Sequence, residues 1–171
     1  KLSQKTNEEY TMRITITPYN LKTSELRKVT EKVVHNLTEL DLECENSECR
    51  LLICDQFFSN CKPEHFRDVL IHFMQKIRIG GVLQINSFDI PRLSRELTKG
   101  NINVQGFNDF IFSEMQQCRS FGLDYETLLS YAESIENQLG LRFEKQVNFS
   151  NEPIVQVSMQ RVAELSQSGG N

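Results

Sequence analysis

No glycine precedes Gly80, and no tryptophan occurs anywhere in the 171 residues. The first absence excludes a glycine-rich phosphate loop from the whole N-terminal part, because such loops need residues that accept positive φ and a close backbone approach. No C-x-x-C pair occurs among the five cysteines, Cys44, Cys49, Cys54, Cys61 and Cys118. That leaves no zinc-site spacing, and an odd count does not read as a disulfide framework. Reduced and mostly buried thiols, with no bound metal, are therefore expected. Positive charge is also short, with 19 Lys and Arg against 23 Asp and Glu for a net −4. Such a chain has no basic field to draw in nucleic acid or anionic lipid. No apolar run approaches the roughly 18 residues needed to cross a bilayer. With no signal-peptide pattern at the start, the expected location is cytoplasmic.

What remains is an ordinary globular composition, 39% hydrophobic and 25% charged. The length suits one domain, expected over residues 12–162, with loose tails at 1–11 and 163–171. "MRITIT", Met12 to Thr17, alternates like a strand and stops at Pro18. Ser24 to His35 has apolar residues at helical spacing and is expected to be a helix. Leu37 to Glu48 is polar and reads as irregular. "CRLLICD", Cys49 to Asp55, is nearly continuous in apolar residues, like a strand buried on both faces. Pro63 opens a helix whose stripe is Phe66, Val69, Leu70, Phe73, Met74 and Ile77.

Gly80 and Gly81 stand between that helix and "VLQINSF", Val82 to Phe88. They read as a helix-ending turn, one of them at positive φ. Pro91 to Leu97 suggests a short helix. Gly100 to Gly122 reads as loops with a short helix near Ser113 to Arg119. Asp124 caps a helix that Gly140 closes at Leu139. Leu141 to Phe149 and Val155 to Met159 alternate and form an antiparallel hairpin across "SNEP", with fraying after Val162.

The order strand, helix, double glycine, strand, helix, hairpin resembles the C-terminal half of class I S-adenosylmethionine-dependent methyltransferases. Three passages carry the resemblance over roughly Thr38 to Arg161: "LTELDLECENSECRLLICDQFFSN", "FMQKIRIGGVLQINSFD" and "FGLDYETLLSYAESIENQLGLRFEKQVNF". The second resembles the family's Leu-Lys-Pro-Gly-Gly helix ending, with Ile79 in place of the proline. The resemblance implies an α/β, Rossmann-like three-layer sandwich with a mostly parallel sheet and a C-terminal antiparallel hairpin. The N-terminal half is shortened relative to that pattern.

The same resemblance requires a glycine-rich loop after the first strand, where this chain has Pro18, Tyr19 and Asn20. The acidic residue that should follow the second strand to hold ribose hydroxyls has no clear counterpart; Asp41 and Glu43 lie in a suitable region, with no strand readable before them. Ligands in such sheets sit beyond the carboxyl ends of strands, so the candidate cleft comprises Asp55, Gln56, Phe57, Phe58, Asn86 and Asp89. Asp55 and Asp89 suit strand-end capping as well as ligand contact. Phe57 and Phe58 suit core or interface as well as a stacking platform. "DQFF" departs from the Asn/Asp-Pro-Pro-aromatic motif of amino-group methyltransferases, and Cys54 lacks the proline of the cytosine-C5 nucleophile. His65 and His72 read as solvated, as do Arg92, Arg95 and Lys99 on one helical face.

Three functions are compatible with this pattern. One is a methyltransferase-like domain without cofactor that serves as a structural or protein-interaction module. Another is an active enzyme using S-adenosylmethionine at an atypical site. The third is an unrelated α/β binding domain. Phe107, Phe110 and Phe112 cluster in the least regular stretch. Val104 to Phe121 is therefore expected to contact a protein partner or a second copy, the alternative being that these phenylalanines cover the sheet as a lid.

Overall fold

The computed structural model describes residues 12–17, 32–58, 61–112, 124–151 and 154–164. Six strands form one mixed sheet: β1 (Arg13–Ile16), β2 (Lys32–Val34), β3 (Cys49–Asp55), β4 (Ile77–Phe88), β5 (Leu141–Phe149) and β6 (Ile154–Glu164). Their order is β2-β1-β3-β4-β6-β5. The pairs β2-β1, β1-β3 and β3-β4 are parallel, and β6 runs antiparallel to both β4 and β5. The helices are α1 (Leu37–Glu43), α2 (Phe66–Lys76), α3 (Ile90–Thr98), α4 (Val104–Phe112) and α5 (Tyr125–Leu139). This is an α/β architecture, mostly parallel, with an antiparallel C-terminal hairpin. Among the described residues no helix is long and apolar enough to cross a membrane.

One apolar cluster holds the layers together. Ile14, Ile16, Leu52, Cys54, Leu83, Ile85, Val157 and Met159 come from the sheet. Leu40, Leu70, Phe73, Met74, Leu128, Ala132 and Ile135 come from α1, α2 and α5. Leu70 and Phe73 have no exposed surface. Truncating a phenylalanine so placed costs about 3–5 kcal/mol. Asp124 caps α5 by accepting from Thr127 N at 2.8 Å, and Gly140 ends it at φ 66°. Only glycine takes that left-handed conformation without strain.

The structure corrects five expectations. Lys32–Val34 is a strand, not the end of a helix, while residues 24–31 lie outside the described residues. Val33 and Val34 are β-branched, and parallel pairing of Thr15 with Val33 and Ile16 with Val34 overrides the local helical spacing. Leu37–Glu43, read as irregular, is a helix. Asn36 accepts from Glu39 N at 2.9 Å, and Glu39 accepts from Asn36 Nδ2 at 2.8 Å and His35 N at 2.8 Å. These bonds satisfy donors that a helix start would otherwise leave open.

The third correction concerns the double glycine. α2 stops at Lys76, and Gly80 and Gly81 sit inside β4 rather than after a helix. Cys49 pairs with Ile77 and Leu51 with Val82, so Arg50 alone faces the stretch from Arg78 to Gly81. The glycines therefore build a bulge. Gly80 does have the expected positive φ, 77°. Fourth, a helix covers Val104–Phe112, whereas the expected helix at 113–119 lies outside the described residues. Asn103 accepts from Gly106 N at 2.7 Å and starts this helix. Fifth, β6 continues past Val162, with Ala163 and Glu164 still paired to Arg142 and Leu141.

Candidate functional site

β2 and β3 lie on opposite sides of β1, so the chain reverses direction across the sheet after β2. In open α/β sheets that reversal opens a crevice beyond the carboxyl ends of the flanking strands. Asp55 ends β3 at this edge and pairs in register with Asn86 of β4. Asn86 Nδ2 donates to Asp55 Oδ1 at 3.4 Å. Burial pushes the Asp55 carboxyl up, and the Asn86 bond partly offsets it. Gln56, at φ 54°, turns the chain off the strand, and its N–H donates to the Asn86 carbonyl at 3.1 Å.

The other candidates go elsewhere. Phe58 is 1% exposed and packs edge-on against Phe66 and Phe73. Phe57 meets Phe73 edge-on at 5.4 Å. Asp89 is buried and caps α3, accepting from Arg92 N at 3.0 Å. Cys54 is fully buried, and desolvation pushes its thiol well up, which makes it a poor nucleophile.

Two readings of surface residues change. His72 is part of an ion-pair group rather than simply solvated, with Nε2 2.9 Å from Asp41 Oδ1. Arg92 straps the hairpin turn, donating to the Ser150 carbonyl at 2.5 Å and the Asn151 carbonyl at 3.1 Å. His65 is exposed as expected. It shares a cavity of about 600 Å³ with Leu37, Phe57, Cys61, Val69 and His72.

Pairing also extends the Asp55–Asn86 contact across four strands. Asn86 stands opposite Gln156 of β6, which stands opposite Asn148 of β5. Gln156 Nε2 donates to Asn86 Oδ1 at 3.3 Å, and Asn148 Nδ2 donates to Gln156 Oε1 at 3.5 Å. The next row along the strands holds Gln84, Ser158 and Gln146. One half of the sheet thus presents neutral amides on a single face. A cavity of about 340 Å³ opens there, against Asn86, Asn148 and Gln156 and the Ser150–Asn151 turn. Sequence reasoning named Asn86 and missed its two partners. Their period-2 spacing in "EKQVNF" and "IVQVSMQ" was the available signal.

The crevice's other side differs. Thr17 N donates to the Val34 carbonyl at 3.1 Å, closing β1 against β2. The residue after β2 is His35, whose Nδ1 lies 3.0 Å from the Thr17 carbonyl. Asp41 is not beside it. It lies in the last turn of α1, where its Oδ1 is 2.7 Å from Lys76 Nζ. Glu43 pairs with Lys32. Pro18, Tyr19 and Asn20 lie outside the described residues.

No family model matches the sequence, and no curated protein matches it. Solved structures do. A SAM-dependent methyltransferase from Archaeoglobus fulgidus aligns at TM-score 0.53 and 13% identity, over 88% of this chain and 86% of that one. A SAM-dependent methyltransferase from Thermotoga maritima, a possible histamine N-methyltransferase, aligns at 0.51 and 13%, over 86% and 72%. The fold is that of a class I methyltransferase. A possible exported protein from Bordetella parapertussis aligns at 0.53 and 14%, over 81% of this chain. The chain spans 46% of that protein's length. In this methyltransferase-like fold, the Asp55–Asn86 pair and the His35–Thr17 contact occupy opposite sides of the reversal crevice.

Proposed function

We propose that this domain has lost cofactor binding and uses the methyltransferase-like fold as a structural or protein-interaction module. The observation that carries this reading is at the ends of β1 and β2. S-adenosylmethionine needs a close backbone approach after β1 and a carboxylate after β2. The chain has no glycine before Gly80, and His35 follows β2 with its ring at the Thr17 carbonyl. The missing glycine argues against the cofactor, while the Glu39 carboxylate stands at the end of β2, 2.8 Å from His35 N. A cytoplasmic module with a protein partner, contacted through Val104 to Phe121, goes with this reading.

A second reading, an active methyltransferase with an atypical site, is favoured by one feature. The half-buried Asp55 with its Asn86 partner lies at the carboxyl edge where such sheets bind ligands.

Calorimetric titration with S-adenosylmethionine and S-adenosylhomocysteine separates the two. No heat of binding is expected at sub-millimolar concentration. A saturating isotherm of unit stoichiometry would overturn the first reading and favour the second. Thermal shift adds a check, since a ligand at 100 times its dissociation constant stabilises by roughly 2.7 kcal/mol. Light scattering across a concentration series tests self-association as one form of the module reading.

A further inference from the structure

The amide row that crosses β5, β6 and β4 has a direction. Gln146 Nε2 donates to Asn148 Oδ1 at 3.1 Å, and Asn148 Nδ2 donates to Gln156 Oε1 at 3.5 Å. Gln156 Nε2 then donates to Asn86 Oδ1 at 3.3 Å, and Asn86 Nδ2 donates to Asp55 Oδ1 at 3.4 Å. Every donor points toward one carboxylate. An amide nitrogen carries two hydrogens and an amide oxygen two lone pairs. Asn148, Gln156 and Asn86 each spend one N–H in this chain and keep the other. The oxygens of Asn148 and Gln156 each keep a lone pair, whereas Asn86 Oδ1 also accepts from Gln84 Nε2 at 3.3 Å.

These remaining donors and acceptors converge on one concavity. Asn86, Gln156 and Asn148 are half-buried and line the cavity of about 340 Å³ beside the Ser150–Asn151 turn. Their strands are held from behind, since Val155 and Val157, on either side of Gln156, are buried. Polar groups fixed on packed strands are already positioned for a ligand. Among the described residues, no side chain lining the cavity is charged. Arg92 reaches the same turn but donates to the Ser150 and Asn151 carbonyls.

We propose that this amide-lined cavity is a binding site for a neutral saccharide of one or two rings. An anion would find no cation there, and an ammonium group would find only Asp55 at the end of the row. Neighbouring strands stand ~4.8 Å apart, so three amides on three strands span roughly 10 Å. Hydroxyl groups around sugar rings each donate and accept, which suits a row of that length with both functions. A nucleobase edge has a fixed pattern and covers only part of it. The volume lies at the small end of ligand pockets, about 300–1000 Å³. The cavity is on the half of the sheet away from β1 and β2, so saccharide binding stands or falls independently of S-adenosylmethionine.

Side-chain amide resonances of the isotope-labelled whole protein test this. Maltose, cellobiose, lactose and chitobiose are each added up to ~10 mM, an order of magnitude above a dissociation constant of ~1 mM. At least one sugar is expected to shift the Asn86, Asn148 and Gln156 amides together and saturably. The Gln160 amide, on the same face but in the neighbouring cavity, should stay in place. Gln156→Leu or Asn148→Leu should weaken binding ~10-fold or more, because each removes hydrogen bonds to the ligand. Gln160→Leu should leave it unchanged. Where a variant does not fold, the wild-type amide map decides. Absence of a saturable shift with all four sugars would overturn the proposal. So would larger shifts with uracil than with any sugar, or saturable shifts with glucose 6-phosphate alone.

Discussion

A Cβ atom on Gly81 would lie 2.7 Å from the carbonyl oxygen of Cys49 on the neighbouring strand. The same atom would meet the Arg78 carbonyl and Ile77 Cγ2 at 3.0 Å. Gly81 is therefore a close-approach glycine, and an added Cβ there would force backbone atoms to shift. Gly80 has open space around its missing side chain and a φ of 77°. The two neighbours need glycine for different reasons, one for room and one for conformation.

This difference yields the first prediction. Gly81→Ala should destabilise by about 2 kcal/mol or more, because backbone atoms must move. Gly80→Ala should cost about 1 kcal/mol, the price of a left-handed alanine. Gly80→Asn should recover part of that, since asparagine tolerates the region, whereas Gly81→Asn should not. Urea denaturation of the four variants checks the ranking. Equal losses at both positions would contradict the bulge geometry.

Asp41 and Asp55 should respond to pH in opposite directions. The bond from Lys76, and then the charge of His72, hold the Asp41 carboxyl below its ordinary range. A depressed carboxylate adds stability that is complete above the unfolded value of 3.8 and is lost as pH falls through the lower folded value. Asp41 is about half exposed, so screening limits the effect to about 1 kcal/mol at most. Asp41→Asn should lower the melting temperature slightly at neutral pH. The gap should narrow in acid and shrink in high salt.

Burial raises the Asp55 carboxyl above 3.8, so its sign is reversed. Its favourable contribution is present below the unfolded value and is lost as pH rises through the folded one. Asp55→Asn removes the cost of a half-buried charge. It should raise stability at neutral pH and have no such effect in strong acid. Melting curves at several pH values measure this. A loss of stability at neutral pH would mean that Asn86 and the strand edge compensate the charge more fully than the single bond implies.

Asp124 accepts from both Thr127 N and Thr127 Oγ1 at 2.8 Å. Asp124→Ala should therefore cost about 1 kcal/mol by removing the α5 cap. Asp124→Ser should cost less, since a hydroxyl still accepts from the backbone. Denaturation midpoints of the two variants should fall in that order.

Periodicity made much of the fold legible. The stripe of α2, the capped α5 and the alternating hairpin each repeat one local preference over many residues, so they stand out before any contact is known. Glycine placement was legible in the same way, since a residue without Cβ marks a backbone need. The candidate site was legible only in part. Asp55 and Asn86 follow from strand ends, but Gln156 and Asn148 join them only through the pairing of β4, β6 and β5.

The amino-acid order by itself determined which segments have a buried face, where α5 starts and stops, and that no glycine serves the loop after β1. The tertiary structure alone decided that Lys32–Val34 extends, that β4 bulges at its glycines and that Gln156 stands between Asn86 and Asn148. The reason is range. Local preference is written within a helical turn or a strand pleat, whereas register and juxtaposition come from burying surfaces far apart in the chain.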